Sequence, residues 1–569
     1  MRYSQFFLKT SKDAKEFDSV NATLLQKGGF IHQTMAGVYT FLPLGLRVLN
    51  KIENIVREEM DKLGSELLMP ALSPKELWQT TGRLETVDVL FEARGANEAS
   101  RKKNDASYVL NATHEDVLTP IAQQFRPSYK DLPAAVYQIQ TKFRNEPRAK
   151  SGLLRGREFR MKDLYSFHAS EEDFEDFYEK MKVAYTNTFQ RLGIGNDTYV
   201  VMASGGSFSK HFSHEFQTRC DTGEDVVFHA MTANVLFNRE IAPSHAPPLT
   251  QQGEAELPIQ EVEGKGLIGV EPLAEYLKIP VEKTTKTILF ETQEGEVIAA
   301  AVRGTYEINE NKLEKIVGKE FRLASPETVK QVTGAEVGYA GLLNLPSEVQ
   351  IYMDESVKGR KNFETGANRT HYHTINVNFG RDLPEPDQFY DIKVAREGDL
   401  HPETGEVYEV FRASEVGNVF RLGTKFTEAF GYTYTDEKGT QQPVLMGSYG
   451  IGTSRIMGVL VEKFHDDRGI IWPSQVAPFQ VYLAELSADL LVQRAGASAY
   501  EQLTKAGIEV LYDDRKNASA GEKLADADLL GILWRLVVSK KTGDKVEVKR
   551  RTEDSVEMMG VKEFLRHAF

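Results

Sequence analysis

Residues 135–144 read Ala-Val-Tyr-Gln-Ile-Gln-Thr-Lys-Phe-Arg, and residues 158–167 read Glu-Phe-Arg-Met-Lys-Asp-Leu-Tyr-Ser-Phe. Both stretches alternate apolar and polar side chains, as a strand does when one face is buried. Between them lies a loop, 147–156, punctuated by Pro, Lys and Gly. The pair predicts a hairpin with an extended tip, and long loops in compact domains are often functional. From Lys142 to Lys162 there are eight Lys or Arg and two acids, Glu146 and Glu158, a net charge of +6. Charge runs are usually solvated faces. Against that reading, the arginines sit on and beside alternating strands, and the two acids interrupt the run singly.

Upstream, Leu46, Leu49, Ile52, Val56, Met60 and Leu63 recur every three or four residues, which predicts one buried face of a helix. Pro43 and Gly45 mark its start, and Gly64 its stop in a left-handed conformation. Residues 66–70 then read as a short strand closed by Pro70.

Downstream the texture changes near residue 224. The stretch 244–258 is loop-like and marks a boundary. Strands are expected at 284–291, 297–303, 349–353 and 371–378, with a helix near 309–318, so 224–407 reads as an inserted α+β unit. Residues 408–475 resume the first texture, with strands at 409–422 and 444–449 and helical spacing at 453–462. Residues 476–569 offer four strand candidates, the first three separated by helical stretches, as in a small α/β domain. Its Arg535–Arg551 stretch is basic, with seven Lys or Arg against two acids.

The 569-residue length predicts three or four domains, and 41% hydrophobic with 27% charged residues fits a soluble protein with sizeable cores. A net charge of −14 excludes a uniformly basic coat but leaves room for a local basic face. The single cysteine, Cys220, excludes an internal disulfide framework and a Cys-cluster zinc site, and points to an intracellular setting. No apolar run approaches a membrane span. Phe6, Phe7 and Leu8 are interrupted by Lys9, Lys12 and Asp13, so no signal-peptide core is expected. A cytoplasmic enzyme is the expectation.

The run Gly447-Ser-Tyr-Gly450-Ile-Gly452 precedes a helix, which invites a phosphate-binding reading, since glycines admit close backbone approach and helix N-termini favour anions. Its spacing is not that of a dinucleotide fingerprint, and no Walker A pattern occurs. Taken alone, a glycine-rich turn is more often structural. Arg455, early in the helix, shifts the balance towards a phosphate clamp. Arg144 on the hairpin supplies a second guanidinium, and Phe159 an aromatic face on which a base can stack.

Phe143-Arg144-Asn145-Glu146, Arg157-Glu158-Phe159 and the glycine run with Arg455 together resemble motifs 2 and 3 of class II aminoacyl-tRNA synthetases. Residues 43–70 resemble motif 1, the dimer-forming motif. Among these enzymes the chain resembles the bacterial-type prolyl-tRNA synthetases, through Thr113-His114-Glu115, Lys162-Asp163-Leu164-Tyr165-Ser166-Phe167-His168, residues 28–39, Ser213-His214-Glu215-Phe216-Gln217 and residues 422–426. The resemblance covers essentially the whole chain. It implies an α+β catalytic core built on an antiparallel sheet, split between 1–223 and 408–475. It also implies an α+β editing-like domain at 224–407 and an α/β anticodon-binding domain at 476–569.

The implied activity is ATP-dependent ligation of proline to tRNA(Pro) by a homodimer in the cytoplasm, with ATP and Mg²⁺ as cofactors. Position by position, the resemblance gives Arg144 the α-phosphate and the substrate carboxylate, and Glu146 the ATP end. Phe159 would stack on adenine, Arg455 would bind the γ-phosphate, and Gly450 and Gly452 would line the ATP site. Thr113 and Glu115 would hold the imino group of proline, a task suited to a carboxylate because the ring ammonium offers charge and two N–H donors. A satisfied strand-end pair is the plainer alternative for these two. Arg148 matches a position that contacts the tRNA acceptor end; an exposed loop arginine is the alternative. Lys286, Asp354 and His373 match functional positions of the editing domain, which would hydrolyse mischarged Ala-tRNA(Pro) and alanyl-adenylate. Surface charges and a strand-face histidine are the alternatives there. Mg²⁺ ligands are not assigned.

The sequence also departs from the family. Asn418 stands where histidine is common, Leu342 where proline is usual, Thr305-Tyr306 where an Asp-His pair is typical, and Leu533 where proline is usual. Two rival readings are another class IIa synthetase and a non-catalytic class II paralogue. The retention of both Arg144 and Arg455 counts against the paralogue.

Overall fold

A computed structural model describes residues 1–7, 9–11, 16–126, 128–206, 212–249, 253–436 and 438–569. Leu8 of the apolar N-terminal stretch, and Lys12 and Asp13, which interrupt it, lie outside the described residues, as do Thr250, Gln251 and Gln252 of the expected boundary loop. The chain divides into two compact units, one of Met1–Val201, Gly205–Asp225 and Arg412–Phe569, the other of Met202–Ser204 and Val226–Phe411.

In the larger unit, the strands Ala134–Phe143 and Glu158–His168 form the expected antiparallel hairpin, in unbroken register from Ala134 opposite Phe167 to Phe143 opposite Glu158. The strand Leu445–Ile451 pairs antiparallel with the far side of Glu158–His168, placing Gly450 opposite Asp163. Next come Glu409–Gly423 and then Ser213–Arg219, both antiparallel. The helices Pro43–Met60, Glu171–Arg191 and Thr453–Lys463 contribute to one core, in which Val48, Ile52, Tyr185 and Ile456 are wholly buried.

The helix Pro43–Met60 buries Leu49, Ile52, Val56 and Met60 as expected, but Leu46 is 47% exposed. At 100° per residue, Leu46 lies about 110° around the helix from the centre of the buried stripe. Gly45 is needed for close packing, since a Cβ there would stand 2.1 Å from the Phe30 carbonyl oxygen. Gly64 does not adopt the expected left-handed conformation. It is required instead because a Cβ would come within 3.0 Å of the Ala135 carbonyl oxygen. The expected strand at 66–70 reduces to Ser65–Glu66, paired parallel with the hairpin. Beyond it the chain is tied to the hairpin by single contacts, Leu67 N–H to the Tyr137 carbonyl at 2.8 Å and Met69 N–H to Gln138 Oε1 at 3.0 Å.

The glycine run also differs from expectation. It is not a turn: Leu445–Ile451 stays extended through Gly447 and Gly450, and only Gly452 caps the following helix. A Cβ on Gly447 would stand 2.3 Å from the Tyr449 hydroxyl, and one on Gly450 would stand 3.0 Å from Met161 Cε. These glycines thin the sheet surface rather than bend the chain.

The C-terminal part of this unit is a five-stranded sheet in the order Val510–Asp513, Val481–Glu485, Trp534–Val538, Val546–Arg550, Glu557–Met559. The first three are parallel and the last two antiparallel. The fifth strand was not expected; it is three residues long and two of them are exposed, so it has no readable alternation.

The smaller unit holds a four-stranded sheet ordered Phe321–Leu323, Thr285–Thr292, Val297–Arg303, Gln350–Met353, and a three-stranded sheet ordered Gln260–Glu263, Tyr372–Val377, Phe363–Gly366. The helix Glu310–Val317 buries Leu313 against Phe290, Ala300 and Val302.

Candidate active site

The antiparallel sheet of the larger unit floors a cavity of about 360 Å³. Thr113, Glu115, Arg144, Glu146, Phe159, Gly450, Gly452 and Arg455 all line it, although they come from stretches hundreds of residues apart. Arg148 does not line it. That residue is exposed on the hairpin loop, and its backbone N–H donates to Glu146 Oε1 at 3.1 Å.

One end of the cavity is a carboxylate cradle. Glu115 is buried at the start of the helix Glu115–Phe125. Its Oε2 accepts from the Thr113 hydroxyl, and its Oε1 accepts from the Ser448 hydroxyl at 3.0 Å. Arg83, also buried, reaches Asp116 Oδ2 at 2.5 Å and Glu115 Oε2 at 3.5 Å.

Under this end lies a polar network absent from the sequence reading. The Lys142 ammonium stands 2.6 Å from Asp163 Oδ1 and 2.8 Å from His114 Nδ1. Asp163 Oδ2 accepts from Gln138 Nε2 and from the Tyr165 hydroxyl, each at 2.9 Å, while the Tyr165 oxygen accepts from the His114 backbone N–H at 3.1 Å. His114 Nε2 meets the Pro70 carbonyl oxygen at 2.9 Å. With an ammonium at Nδ1 and a carbonyl at Nε2, the ring is neutral and carries its proton on Nε2. Burial, aided by the Lys142 charge, pushes His114 down to about 4. The network clamps the peptide between Thr113 and Glu115 from below. Asp163 and Tyr165 share a strand face, but both faces are buried from Lys162 to His168, so alternation carries no signal of this network.

The other end is cationic. The Arg144 guanidinium lies 5.2 Å from the Phe159 ring centroid, and among the described residues it makes no hydrogen bond or ion pair. Burial, then the nearby Arg455 charge, lowers its pKa from the ordinary arginine value. Arg455 is braced by carbonyl oxygens, from Nε to Leu154 at 2.9 Å and from Nη1 to Glu415 at 2.6 Å. Glu146 Oε2 is 2.9 Å from Arg155 Nε. Burial pushes the Glu146 carboxyl up, but the bonds from Arg155 and the Arg148 amide outweigh it and hold the group below its usual range. Among the described residues no group of three or more His, Cys, Asp or Glu side chains is assembled to hold a metal.

The +6 hairpin is largely committed internally rather than forming a solvated charge run. Lys142 is buried in the network above. Lys162 is buried and donates to the Tyr185 hydroxyl at 2.6 Å and the Tyr449 carbonyl at 2.9 Å. Arg160 grips Glu53 with two bonds, at 2.9 and 3.1 Å. Arg155 joins Glu146 to Glu224, and Arg157 donates to the Glu146 and Ala36 carbonyls. Arg144 and Arg148 are the two guanidiniums of this run without such side-chain bonds among the described residues.

In the smaller unit, Lys286 pairs with Glu307. Asp354 is wholly buried and accepts the backbone N–H groups of Ser356 at 2.9 Å and Ile392 at 2.8 Å. His373 is buried, with Nδ1 2.9 Å from Glu364 Oε1 and Nε2 3.0 Å from the Leu267 carbonyl oxygen. No bond joins the three to one another among the described residues. Leu342 is buried and its N–H donates to Thr365 Oγ1 at 3.1 Å; Tyr306 donates to Asp399 at 2.5 Å.

Residues 96–464 match the tRNA synthetase class II core domain (G, H, P, S and T), and residues 480–567 match an anticodon binding domain. The chain is 40% identical to a proline–tRNA ligase of Aquifex aeolicus over 97% of its own length and 95% of that protein. It is 41% identical to one from Moorella thermoacetica over 97% and 95%, and 39% identical to one from Bacillus cereus over 99% and 98%. A crystal structure of a prolyl-tRNA synthetase from Cryptosporidium parvum with L-proline and AMP shares the fold, with a TM-score of 0.55 at 14% identity, covering 96% of this chain and 72% of that one.

Proposed function

Because this chain belongs to the class II proline–tRNA ligases, we propose that the cavity activates proline at its carboxylate end and grips ATP at its cationic end. The observation that carries the assignment of ends is Arg144: an unpartnered guanidinium near an aromatic ring, in a cavity whose far end holds the Thr113–Glu115 pair. A half-buried cation with no acidic partner among the described residues is costly, and an anionic substrate supplies the missing charge.

In this reading Glu115 and Thr113 receive the ring ammonium of proline, Ser448 holds the other Glu115 oxygen, and Arg144 draws the substrate carboxylate to the α-phosphate. The carboxylate oxygen attacks phosphorus, pyrophosphate leaves, and the prolyl group then passes to the terminal ribose of tRNA(Pro). No protein nucleophile is required, since positioning and charge stabilisation supply the catalysis. Phe159 stacks on adenine, Glu146 orders the ATP end, Gly450 and Gly452 leave room for the nucleotide, and Arg455 takes the γ-phosphate. Mg²⁺ binds chiefly through phosphate and water oxygens and needs one or two carboxylates. Glu224 lines the cavity with its Oε1 outside any hydrogen bond among the described residues and would hold the ion, whereas Glu415 is engaged by Asn418 and Arg455. Arg148 contacts the tRNA acceptor end.

The division 1–223, 224–407, 408–475 and 476–569 is the proposed functional organisation. The insertion hydrolyses Ala-tRNA(Pro) and alanyl-adenylate, because a proline-sized pocket rejects a smaller side chain by only about 1–3 kcal/mol. Lys286 and His373 act there, with Asp354 ordering the chain. The enzyme works as a homodimer in the cytoplasm. Leu68, 76% exposed within the dimer-type motif, supports the dimer. The decisive experiment is proline-dependent ATP–pyrophosphate exchange by the purified protein; exchange with threonine or histidine instead of proline would overturn the reading.

A further inference from the structure

Asn418 lines the same cavity and has a defect that the reading above leaves unexplained. The residue is 7% exposed, and its Oδ1 is buried without a hydrogen-bond partner among the described residues. Native structures rarely leave a buried acceptor unpaired, and an exception calls for a reason. Its Nδ2 is committed, donating to Glu415 Oε1 at 3.0 Å. That bond also fixes the amide orientation, because a flipped amide would set its oxygen against the Glu415 carboxylate.

The register locates this acceptor. Asn418 stands opposite Gly450, while Phe420, two residues along, stands opposite Ser448. Ser448 belongs to the Glu115 end. Glu415, three residues the other way, belongs to the Arg455 end. Two strand residues span about 7 Å. Asn418 therefore sits between the imino-binding and phosphate-binding ends, beside the reacting centre.

The groups that react there, a carboxylate and a phosphate, are acceptors only. Neither can satisfy Oδ1. The proline ammonium brings donors too, but in this reading Thr113 and Glu115 take them at the far end. The donors left for that place are ribose hydroxyls, from ATP in the first step and from the terminal adenosine of tRNA in the second. We propose that Asn418 is a substrate-binding residue whose Oδ1 accepts a hydrogen bond from a ribose hydroxyl at the reacting centre. The terminal amide torsion is soft, so a small rotation turns the oxygen to the incoming hydroxyl. Glu415 thereby orients the amide while its neighbour Arg455 faces phosphate.

This inference rests on the ligase reading, and its test separates the two. Proline-dependent exchange is measured for the wild type, Asn418→Ala and Asn418→Ser with ATP, 2′-deoxy-ATP and 3′-deoxy-ATP. Single-turnover prolyl transfer is measured with tRNA(Pro) ending in adenosine, 2′-deoxyadenosine or 3′-deoxyadenosine. In one arm the wild type should lose about tenfold on removal of a non-reacting hydroxyl. Asn418→Ala should lose about tenfold with the natural substrate and little more with the deoxy analogue, while Asn418→Ser, which keeps an acceptor, should recover part of the loss. Coupling in the ATP arm identifies the nucleotide ribose, and coupling in the tRNA arm identifies the terminal ribose. Equal sensitivity of wild type and variants to every deoxy analogue overturns the proposal even when exchange with proline is normal. Absence of proline-dependent exchange in the wild type overturns the ligase reading instead.

Discussion

Lys142 and Asp163 form an ion pair 2.6 Å long beneath the Thr113–Glu115 cradle, and the lysine has no exposed surface. Removing one member of a buried pair strands the other charge in a medium that cannot solvate it. Lys142→Met should therefore destabilise the larger unit by about 3–5 kcal/mol. Chemical denaturation followed by a catalytic-domain probe measures this; a loss under about 1 kcal/mol would show that the pair is dispensable.

His114 gives that network a pH dependence. Its ring is neutral in the fold, with a pKa of about 4, against roughly 6.5 when unfolded. Protons thus bind the unfolded chain preferentially below pH 6.5. Its contribution is complete above pH 6.5 and is lost as pH falls towards 4, by about 3 kcal/mol in all. Denaturation midpoints from pH 7 to 4.5 should fall more steeply for the wild type than for His114→Asn. Parallel slopes would contradict the neutral buried ring.

For the cationic end, Arg455→Ala and Arg144→Ala should each lower proline-dependent exchange by about 10²–10³ or more, the range for deleting one charge-stabilising donor. Arg144→Lys should not restore it, because an ammonium lacks the planar fork that spans two oxygens. Exchange near the wild-type rate in Arg455→Ala would refute its phosphate role.

Arg148 separates the two half-reactions. It lies outside the cavity on an exposed loop, so Arg148→Ala should leave exchange within about twofold while weakening tRNA transfer and reducing its salt slope by about one unit. An equal loss in both assays would place Arg148 in activation rather than tRNA contact.

In the insertion, His373→Ala should weaken hydrolysis of Ala-tRNA(Pro) while proline activation persists. Deacylation of Ala-tRNA(Pro) by the wild type no faster than background would remove the editing assignment.

Much of the fold was legible because strand and helix periods are local. The hairpin strands at 134–143 and 158–168 and the helices at 43–60 and 453–463 follow from alternation or three-to-four spacing within a dozen residues. The three-residue strand Glu557–Met559 was not legible, since it is too short to show a period. Arg144, Phe159 and Arg455 were legible as site candidates because their residue types are rare in those patterns. Lys142 and Asp163 were not, because nothing local distinguishes a surface charge from a buried one.

The sequence by itself determined the hairpin, the helix faces, the family resemblance and the residue types available for charge recognition. Only the tertiary structure decided which charges are spent. Lys142, Lys162, Arg155 and Arg160 count equally towards +6 in the chain, yet each is neutralised or bonded by partners on other elements. Likewise Ser448 reaches Glu115 across 333 residues of sequence, and the glycines of 447–452 proved to be part of a strand. Periodicity fixes which side of an element a residue faces, whereas cross-strand register and burial fix what stands opposite it, and those arise only when the chain closes on itself.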